Sequence, residues 1–155
     1  MPRLLTLTFL AALSGIATAD ECLVSTNPPE LIESYPGVSE QRYAPDEGEY
    51  SAILENGDLI MVRYGRCELF MTSSYFSKAE SIDQSTIAIW AKSLISSSAA
   101  RDSIELEIST HGDSFSPGDE LIVDVGNGSH SIVFVPSESP YFAASARYRW
   151  IPPEH

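Results

Sequence analysis

Apolar residues take alternate positions soon after residue 48, and this pattern predicts a β-hairpin. One strand runs from Glu49 to Glu55 and the next from Leu59 to Tyr64. Asn56-Gly57 lies between them, and this dipeptide tolerates the positive φ angles of a two-residue hairpin turn. A third strand, rich in Leu, Phe, Met and Tyr, is predicted from Cys67 to Phe76.

The segment from Asp83 to Ser98 is predicted to be a helix. Asp83 can accept hydrogen bonds from the free N–H groups of the first turn. The β-branched residues between Thr86 and Ile89 leave a strand as the alternative. The apolar residues that recur at the spacing of one helical face are Ile87, Trp90, Ala91, Leu94 and Ile95.

Alternation resumes in the second half of the chain and predicts four more strands. The run from Ile104 to Ile108 has an apolar residue at every second position, as in a strand with one exposed face. Leu121 to Val125 and Ser131 to Val135 flank a glycine-rich tip, Gly126 to His130, and therefore predict a second hairpin. The last strand is predicted from Phe142 to Trp150.

Two arginines share the outward face of that last predicted strand. Arg147 and Arg149 alternate with apolar residues, and Glu105 and Glu107 have the same placement in the earlier strand. Opposite charges on neighbouring strands attract one another. We therefore expect the arginines to pair with these two glutamates.

Together these elements predict a single α+β domain. We expect a mainly antiparallel sheet of about six to seven strands, with one principal helix packed on a face. This core covers residues 49 to 155. The preceding residues, 20 to 48, contain four prolines and are expected to be irregular.

The first 19 residues are typical of a signal peptide. Arg3 precedes an apolar stretch from Leu4 to Ala12, and Ala17-Thr18-Ala19 has the small residues that signal peptidase accepts. We therefore expect an exported protein, periplasmic or secreted, that begins at Asp20. No later apolar stretch is long enough for a membrane span.

The charge of the chain excludes one large class of partner. Twenty-two acidic residues against nine Lys and Arg give a formal net charge of −13. Such a chain repels phosphate backbones, so we expect no nucleic-acid binding. The dinucleotide, P-loop and zinc-protease motifs do not occur in the sequence, and we expect no cofactor.

The two cysteines acquire a structural role if the protein is exported. In an oxidising compartment, Cys22 and Cys67 are expected to form one disulfide. By loop entropy, such a bridge is worth about 4 kcal/mol. The alternative is a catalytic thiolate at Cys67, with Cys22 free.

Two histidines are weak candidates for chemistry. His111 and His130 lie in predicted loops, and Asp113 or Asp119 could join them in a site with two histidines and one carboxylate. Such a site could bind a metal ion or serve a small secreted hydrolase. The alternative is that both are solvated loop residues.

The acidic residues favour a binding function. They gather around the two predicted hairpins, where they either protect sheet edges from aggregation or attract a cationic partner. We interpret the protein as a non-catalytic binding protein, in the form of an acidic inhibitor or immunity-type protein for a cationic envelope or secreted enzyme. The predicted contact residues are Glu55, Asn56, Gly57, Asp58, Asn127 and His130.

Two other functions remain as alternatives, and each predicts a recognisable arrangement. A hydrolase or metal-binding protein requires His111 and His130 to face one site. A structural component of an envelope assembly would add a partner strand to an exposed, uncharged sheet edge. An inhibitor instead requires a projecting loop.

Overall fold

The computed structural model describes residues 35–64, 71–95, 98–125 and 128–151. The predicted signal peptide lies outside these residues. The helices are α1 (Gln84–Leu94) and α2 (Ser98–Thr110), and a 3-10 turn covers Pro45–Glu47. The strands are β1 (Val38–Ala44), β2 (Glu49–Leu54), β3 (Leu59–Tyr64), β4 (Met71–Ser77), β5 (Ile82–Asp83), β6 (Ser114–Phe115), β7 (Glu120–Val125), β8 (Gly128–Pro136) and β9 (Ala144–Ile151).

Seven of the strands form one antiparallel sheet in the order β1-β2-β3-β4-β9-β8-β7. After β4 the chain leaves the sheet, forms both helices, and returns at the far edge as β7. Strands β8 and β9 then fill the space between β7 and β4, while β5 and β6 pair separately. The predicted single α+β domain with a mainly antiparallel sheet is confirmed, with two helices among the described residues where one principal helix was expected.

The predicted hairpin of β2 and β3 is confirmed in position and register. Ile53 pairs with Leu59, and the N–H of Gly57 donates to the carbonyl of Leu54 at 2.8 Å. Gly57 has a φ of +81°, a conformation that costs glycine little because it has no Cβ. The Asn-Gly signal therefore places the turn correctly.

The predicted helix is also confirmed, with its N-terminus at the expected cap. Oδ1 of Asp83 accepts a hydrogen bond from the N–H of Thr86 at 2.8 Å. Burial alone would raise the pKa of Asp83, but hydrogen bonds from Ser85 and Thr86 outweigh it and lower that pKa. The helix ends at Leu94, before the predicted Ser98, which instead begins α2.

The strand predicted from Ile104 to Ile108 is wrong, because this segment is the second half of α2. The buried residues of α2 are Ala100, Ile104 and Ile108, which recur every four positions along one helical face. Leu106, which a strand would place beside the two isoleucines, is 67% exposed. Apolar residues alternate in this segment only because the exposed Leu106 lies between two isoleucines of the buried helical face.

The irregular segment predicted from 20 to 48 is also corrected where the structure describes it. Strand β1 pairs with the outer edge of β2, with Tyr43 opposite Tyr50. Most of its residues are exposed and few are apolar, and the strand therefore shows no hydrophobic alternation in the sequence. Pro36 and Pro45 lie outside the strand at either end, where a missing N–H costs no ladder hydrogen bond.

The second hairpin is tighter than predicted. Val125 pairs with Gly128, so β8 begins at Gly128 and already includes His130. The longer tip predicted from Gly126 to His130 is therefore wrong. The last strand is confirmed as β9, whose buried apolar residues alternate as expected: Ala144, Ala146 and Tyr148.

The expected charge pairs of the last strand are not formed. Arg147 instead lies 3.6 Å from a carboxylate oxygen of Glu138. Glu105 pairs with Lys92 of α1, and Glu107 lies 3.8 Å from Nδ1 of His111. Because α2 is a helix on the other side of the sheet, its glutamates cannot reach β9's outward face.

One face of the large sheet is covered by the helices and contains the core. Trp90 of α1 is fully buried, with its ring at 5.9 Å and 63° to that of Tyr75 on β4. At the other end of the core, Phe115 stacks on Phe134 at a centroid distance of 4.5 Å. No helix or strand of the described residues packs on the opposite face, which we call the open face.

Two buried serines in neighbouring strands differ in their hydrogen bonding. The hydroxyl of Ser73 accepts from Nε1 of Trp90 at 3.2 Å and donates to the carbonyl of Met61 at 3.0 Å. Ser145 is 1% exposed, and its hydroxyl has no hydrogen-bond partner among the described residues. The two hydroxyl groups should therefore affect stability in opposite directions.

We predict that Ser73→Ala lowers the free energy of unfolding by about 2 kcal/mol, because the indole N–H of Trp90 is left unpaired. Ser145→Ala should raise it by about 1 kcal/mol, because an unpaired buried hydroxyl is removed. Urea denaturation of both variants measures the two changes. A loss of stability in Ser145→Ala would contradict the assignment of its hydroxyl as unpaired.

Candidate functional site

The tip of the β2–β3 hairpin is built around a buried carboxylate. Asp58 is 6% exposed. Its Oδ2 accepts hydrogen bonds from the Tyr75 hydroxyl and from Nδ2 of Asn56, both at 2.9 Å. Its Oδ1 accepts from the N–H of Lys78 at 3.0 Å. The carboxylate of Asp58 thus ties the turn to β4, and a partner cannot contact it directly as the sequence suggested.

The other predicted residues of this tip have different positions. Glu55 and Asn56 are exposed, whereas Gly57 is half-buried beneath the side chain of Lys78. The side chain of Asn56 also accepts a hydrogen bond from the N–H of Asp58 at 2.9 Å. The tip therefore presents Glu55 and part of Asn56 to solvent on a loop that side-chain hydrogen bonds hold in place.

Two clefts flank this tip, with Asn56 and Thr86 contributing to both. The larger, of about 270 Å³, also contains Asp58, Lys78 and Asp83. The smaller, of about 240 Å³, includes the buried Tyr35 and the exposed Ile89. The start of α1 therefore lies beside the tip.

His130 is a core residue and has no access to a partner. It is 3% exposed on β8, and its Nδ1 shares a hydrogen bond of 2.9 Å with the hydroxyl of Tyr148. Burial lowers the pKa of His130 because the charged imidazolium loses its hydration. The prediction of His130 as a partner-contacting residue is therefore wrong.

The two histidines do not meet in one site. His111 follows the last turn of α2, and its ring lies 5.9 Å from that of Phe115, which stacks on Phe134. Phe134 and His130 are four residues apart on β8, about 13 Å at the rise of a strand. His111 thus lies at the Phe134 end of β8, and His130 lies near the other end.

The proposed metal site gains no geometric support from the described residues. Asp113 is exposed, and its backbone carbonyl accepts from the N–H of Gln84 at 3.0 Å. Nowhere in ranges 35–64, 71–95, 98–125 and 128–151 do three His, Cys, Asp or Glu side chains gather closely enough to hold a metal ion. Cys22, Cys67 and Asn127 lie outside these ranges, so the expected disulfide stays a prediction.

The open face of the sheet concentrates cations in an acidic chain. Strand pairing aligns its side chains in rows that run across the strands. The cationic row contains Glu49, Arg63, Thr72, Arg149 and Ser131. The middle row contains Arg42, Ser51, Met61, Ser74, Arg147 and Val133. The apolar row contains Ile53, Leu59, Phe76, Ser145 and Val135.

The arginines of this face differ in their pairing. Nε of Arg63 donates to Oε2 of Glu49 at 2.8 Å, and Arg147 lies near Glu138. Among the described residues, no carboxylate lies within salt-bridge distance of Arg149 or Arg42. The outward placement of Arg147 and Arg149 was visible in the sequence. That Arg63 lies near them depends on the strand order, which the sequence did not show.

The chain matches no known protein family, no curated protein and no solved structure in comparisons with each. Neither helix in the described part of the chain has the length and apolar character needed to cross a membrane.

We predict that Asp58→Ala lowers the free energy of unfolding by about 3 kcal/mol, because it leaves the buried Tyr75 hydroxyl and the Lys78 N–H without an acceptor. The matched control is Glu55→Ala, three residues away on the exposed side of the tip, with an expected change within about 0.5 kcal/mol. Urea denaturation compares the two variants. Equal effects would show that the carboxylate of Asp58 does not brace the tip.

The buried tyrosines and His130 predict how stability depends on pH. Burial raises the pKa of Tyr148, and burial together with the carboxylate of Asp58 raises the pKa of Tyr35 and Tyr75. The stability from these raised pKa values is fully present below about pH 10 and is lost above it, at up to about 1.4 kcal/mol per pH unit per tyrosine. The lowered pKa of His130 acts in the opposite direction, so stability also falls as pH drops below about 6.5.

Unfolding free energies measured from pH 5 to 11 should therefore be highest between about pH 7 and 10. Tyr148→Phe should reduce the slope of unfolding free energy against pH above pH 10 by the contribution of one tyrosine. The control Tyr141→Phe should leave the slope unchanged because its side chain is 79% exposed. An alkaline slope that is the same in wild type and Tyr148→Phe would contradict this prediction.

Proposed function

We propose that the protein is an exported, non-catalytic binding protein that acts as an acidic inhibitor or immunity-type protein for a cationic envelope or secreted enzyme. The observation that carries this proposal is the braced tip of the β2–β3 hairpin. A loop that enters the cleft of an enzyme binds more tightly when it is already ordered, because less conformational entropy is lost on binding. The hydrogen bonds of Asp58 provide this order.

The distribution of charge supports the same function. Four arginines, Arg42, Arg63, Arg147 and Arg149, lie on the open face, which leaves few cations elsewhere to neutralise 22 acidic residues. Around the tip, the exposed carboxylates of Glu55, Glu80 and Asp83 outnumber the one amine of Lys78. An acidic surface steers a cationic partner and speeds encounter.

The alternatives receive less support from the geometry. A hydrolase or metal-binding protein that uses both histidines needs them in one site, and they lie apart. A component that adds a partner strand needs an uncharged edge, whereas the edge strands include Glu40 and Arg42 on β1 and Glu120 and Asp124 on β7. Charged edge strands oppose pairing with another chain.

We predict that the purified protein captures a basic enzyme from the envelope or secreted fraction of its source at low salt, and that raised salt weakens the capture. The captured enzyme is then purified, and its inhibition is titrated with wild type and two variants. Glu55→Lys should raise the inhibition constant at least tenfold, because it places a like charge at the contact.

The matched control is Asp102→Lys, which makes the same charge change at an exposed position of α2. It should change the inhibition constant less than threefold. Capture without inhibition, no capture at either salt concentration, or equal effects of the two substitutions would each overturn the proposed function.

A further inference from the structure

A groove on the open face has the composition of a binding site for an amphiphilic anion. It has a volume of about 370 Å³, within the range typical of small-ligand sites. Its chemically distinctive lining consists of Arg63, Arg147, Arg149, Met61 and Phe76, with hydroxyl groups from Thr72 and Ser74. Cationic, hydroxyl and apolar groups therefore surround one space.

The arginines are arranged so that they can share one oxyanion. Arg63 and Arg149 are the two cross-strand neighbours of Thr72, so their backbones lie about 10 Å apart on opposite sides of β4. Arg147 is two residues from Arg149 on the same face, about 7 Å along the strand. Long side chains from these three positions can reach the space above the hydroxyls of Thr72 and Ser74.

Arg149 is the strongest candidate for the contact with the anion. Within the described ranges it has no carboxylate partner, whereas Arg63 pairs with Glu49 and Arg147 with Glu138. Guanidinium groups bind phosphate and carboxylate through two parallel hydrogen bonds. A ligand head group can therefore use Arg149 without breaking an ion pair of the protein.

The apolar side of the groove can contact an apolar part of the ligand. Phe76 forms an apolar wall of the groove, and the ring of Phe142 in the β8–β9 loop packs on it at a centroid distance of 5.7 Å. Next to Met61 of the middle row, the apolar row provides Leu59 and the 42% exposed Ile53. On β3 the cationic row and the apolar row are separated by four residues, from Arg63 to Leu59, which is a distance of about 13 Å.

We propose that this groove binds a free single-chain amphiphile, with its anionic head at Arg149, Arg147 and Arg63 and its chain along Met61 and the apolar row. Inorganic phosphate would leave the apolar wall exposed, and a neutral detergent would leave Arg149 without a counter-charge. The proposal is independent of the function proposed for the hairpin tip, which lies at a different set of residues.

The test uses isothermal titration of the full-length protein with decyl phosphate below its micelle concentration, and with decyl maltoside and inorganic phosphate as comparison ligands. We expect decyl phosphate to bind at least tenfold more tightly than either. Arg149→Gln and Arg147→Gln should each weaken this binding at least fivefold. The matched control Arg101→Gln, at an exposed position on α2, should change it less than twofold.

Thermal unfolding checks that the arginine variants fold as the wild type does. A second variant, Met61→Gln, should weaken the binding of decyl phosphate. It should leave the weak binding of inorganic phosphate unchanged. Equal affinity for decyl maltoside would show a general apolar surface, and equal affinity for inorganic phosphate would show an anion site without a chain site. Either result, or no binding of decyl phosphate, would overturn the proposal.

Discussion

The packing of Trp90 against strand β4 is the interaction on which the rest of the structure depends. The indole is fully buried, and it contacts the ring of Tyr75 and donates its N–H to Ser73. This contact attaches the helical excursion to the middle of the sheet, between the two groups of strands. From the same strand, the hydroxyl of Tyr75 extends to Asp58 and holds the hairpin tip. Core packing and the order of the tip are therefore physically linked through one strand.

Because both helices lie on one face, the two faces of the sheet have different chemistry. The covered face contains the apolar core together with the paired buried side chains of Ser73 and His130. The open face retains the side chains that water solvates, including Arg147 and Arg149. This separation explains how a chain with a net charge of −13 still presents a cationic groove. Net charge describes the average field of a protein, whereas a groove senses its nearest side chains.

Sequence signals that involve only a few adjacent residues predicted their structural elements correctly. Asn56-Gly57 placed the first turn, and Asp83 placed the start of α1, because a turn and a cap depend on a few adjacent residues. The segment from Ile104 to Ile108 was misassigned, since three apolar residues at alternate positions fit a strand. The burial of Ala100 and the exposure of Leu106 distinguish the helix. Strand β1 was missed because its pairing uses backbone groups and leaves most side chains exposed. Of the candidate site, Glu55 and Asn56 were placed correctly at an exposed tip.

The sequence by itself determined the α+β class, the first hairpin, the capped helix and the excess of acid, all of which follow from local geometry or from composition. The tertiary structure alone decided that Asp58 is a buried brace, that His130 is a core residue apart from His111, and that Arg63 joins Arg149 across β4. These outcomes depend on strand order and on which face the helices cover. Contacts between residues distant along the chain are set by the packing of the whole domain, which no short stretch of sequence encodes.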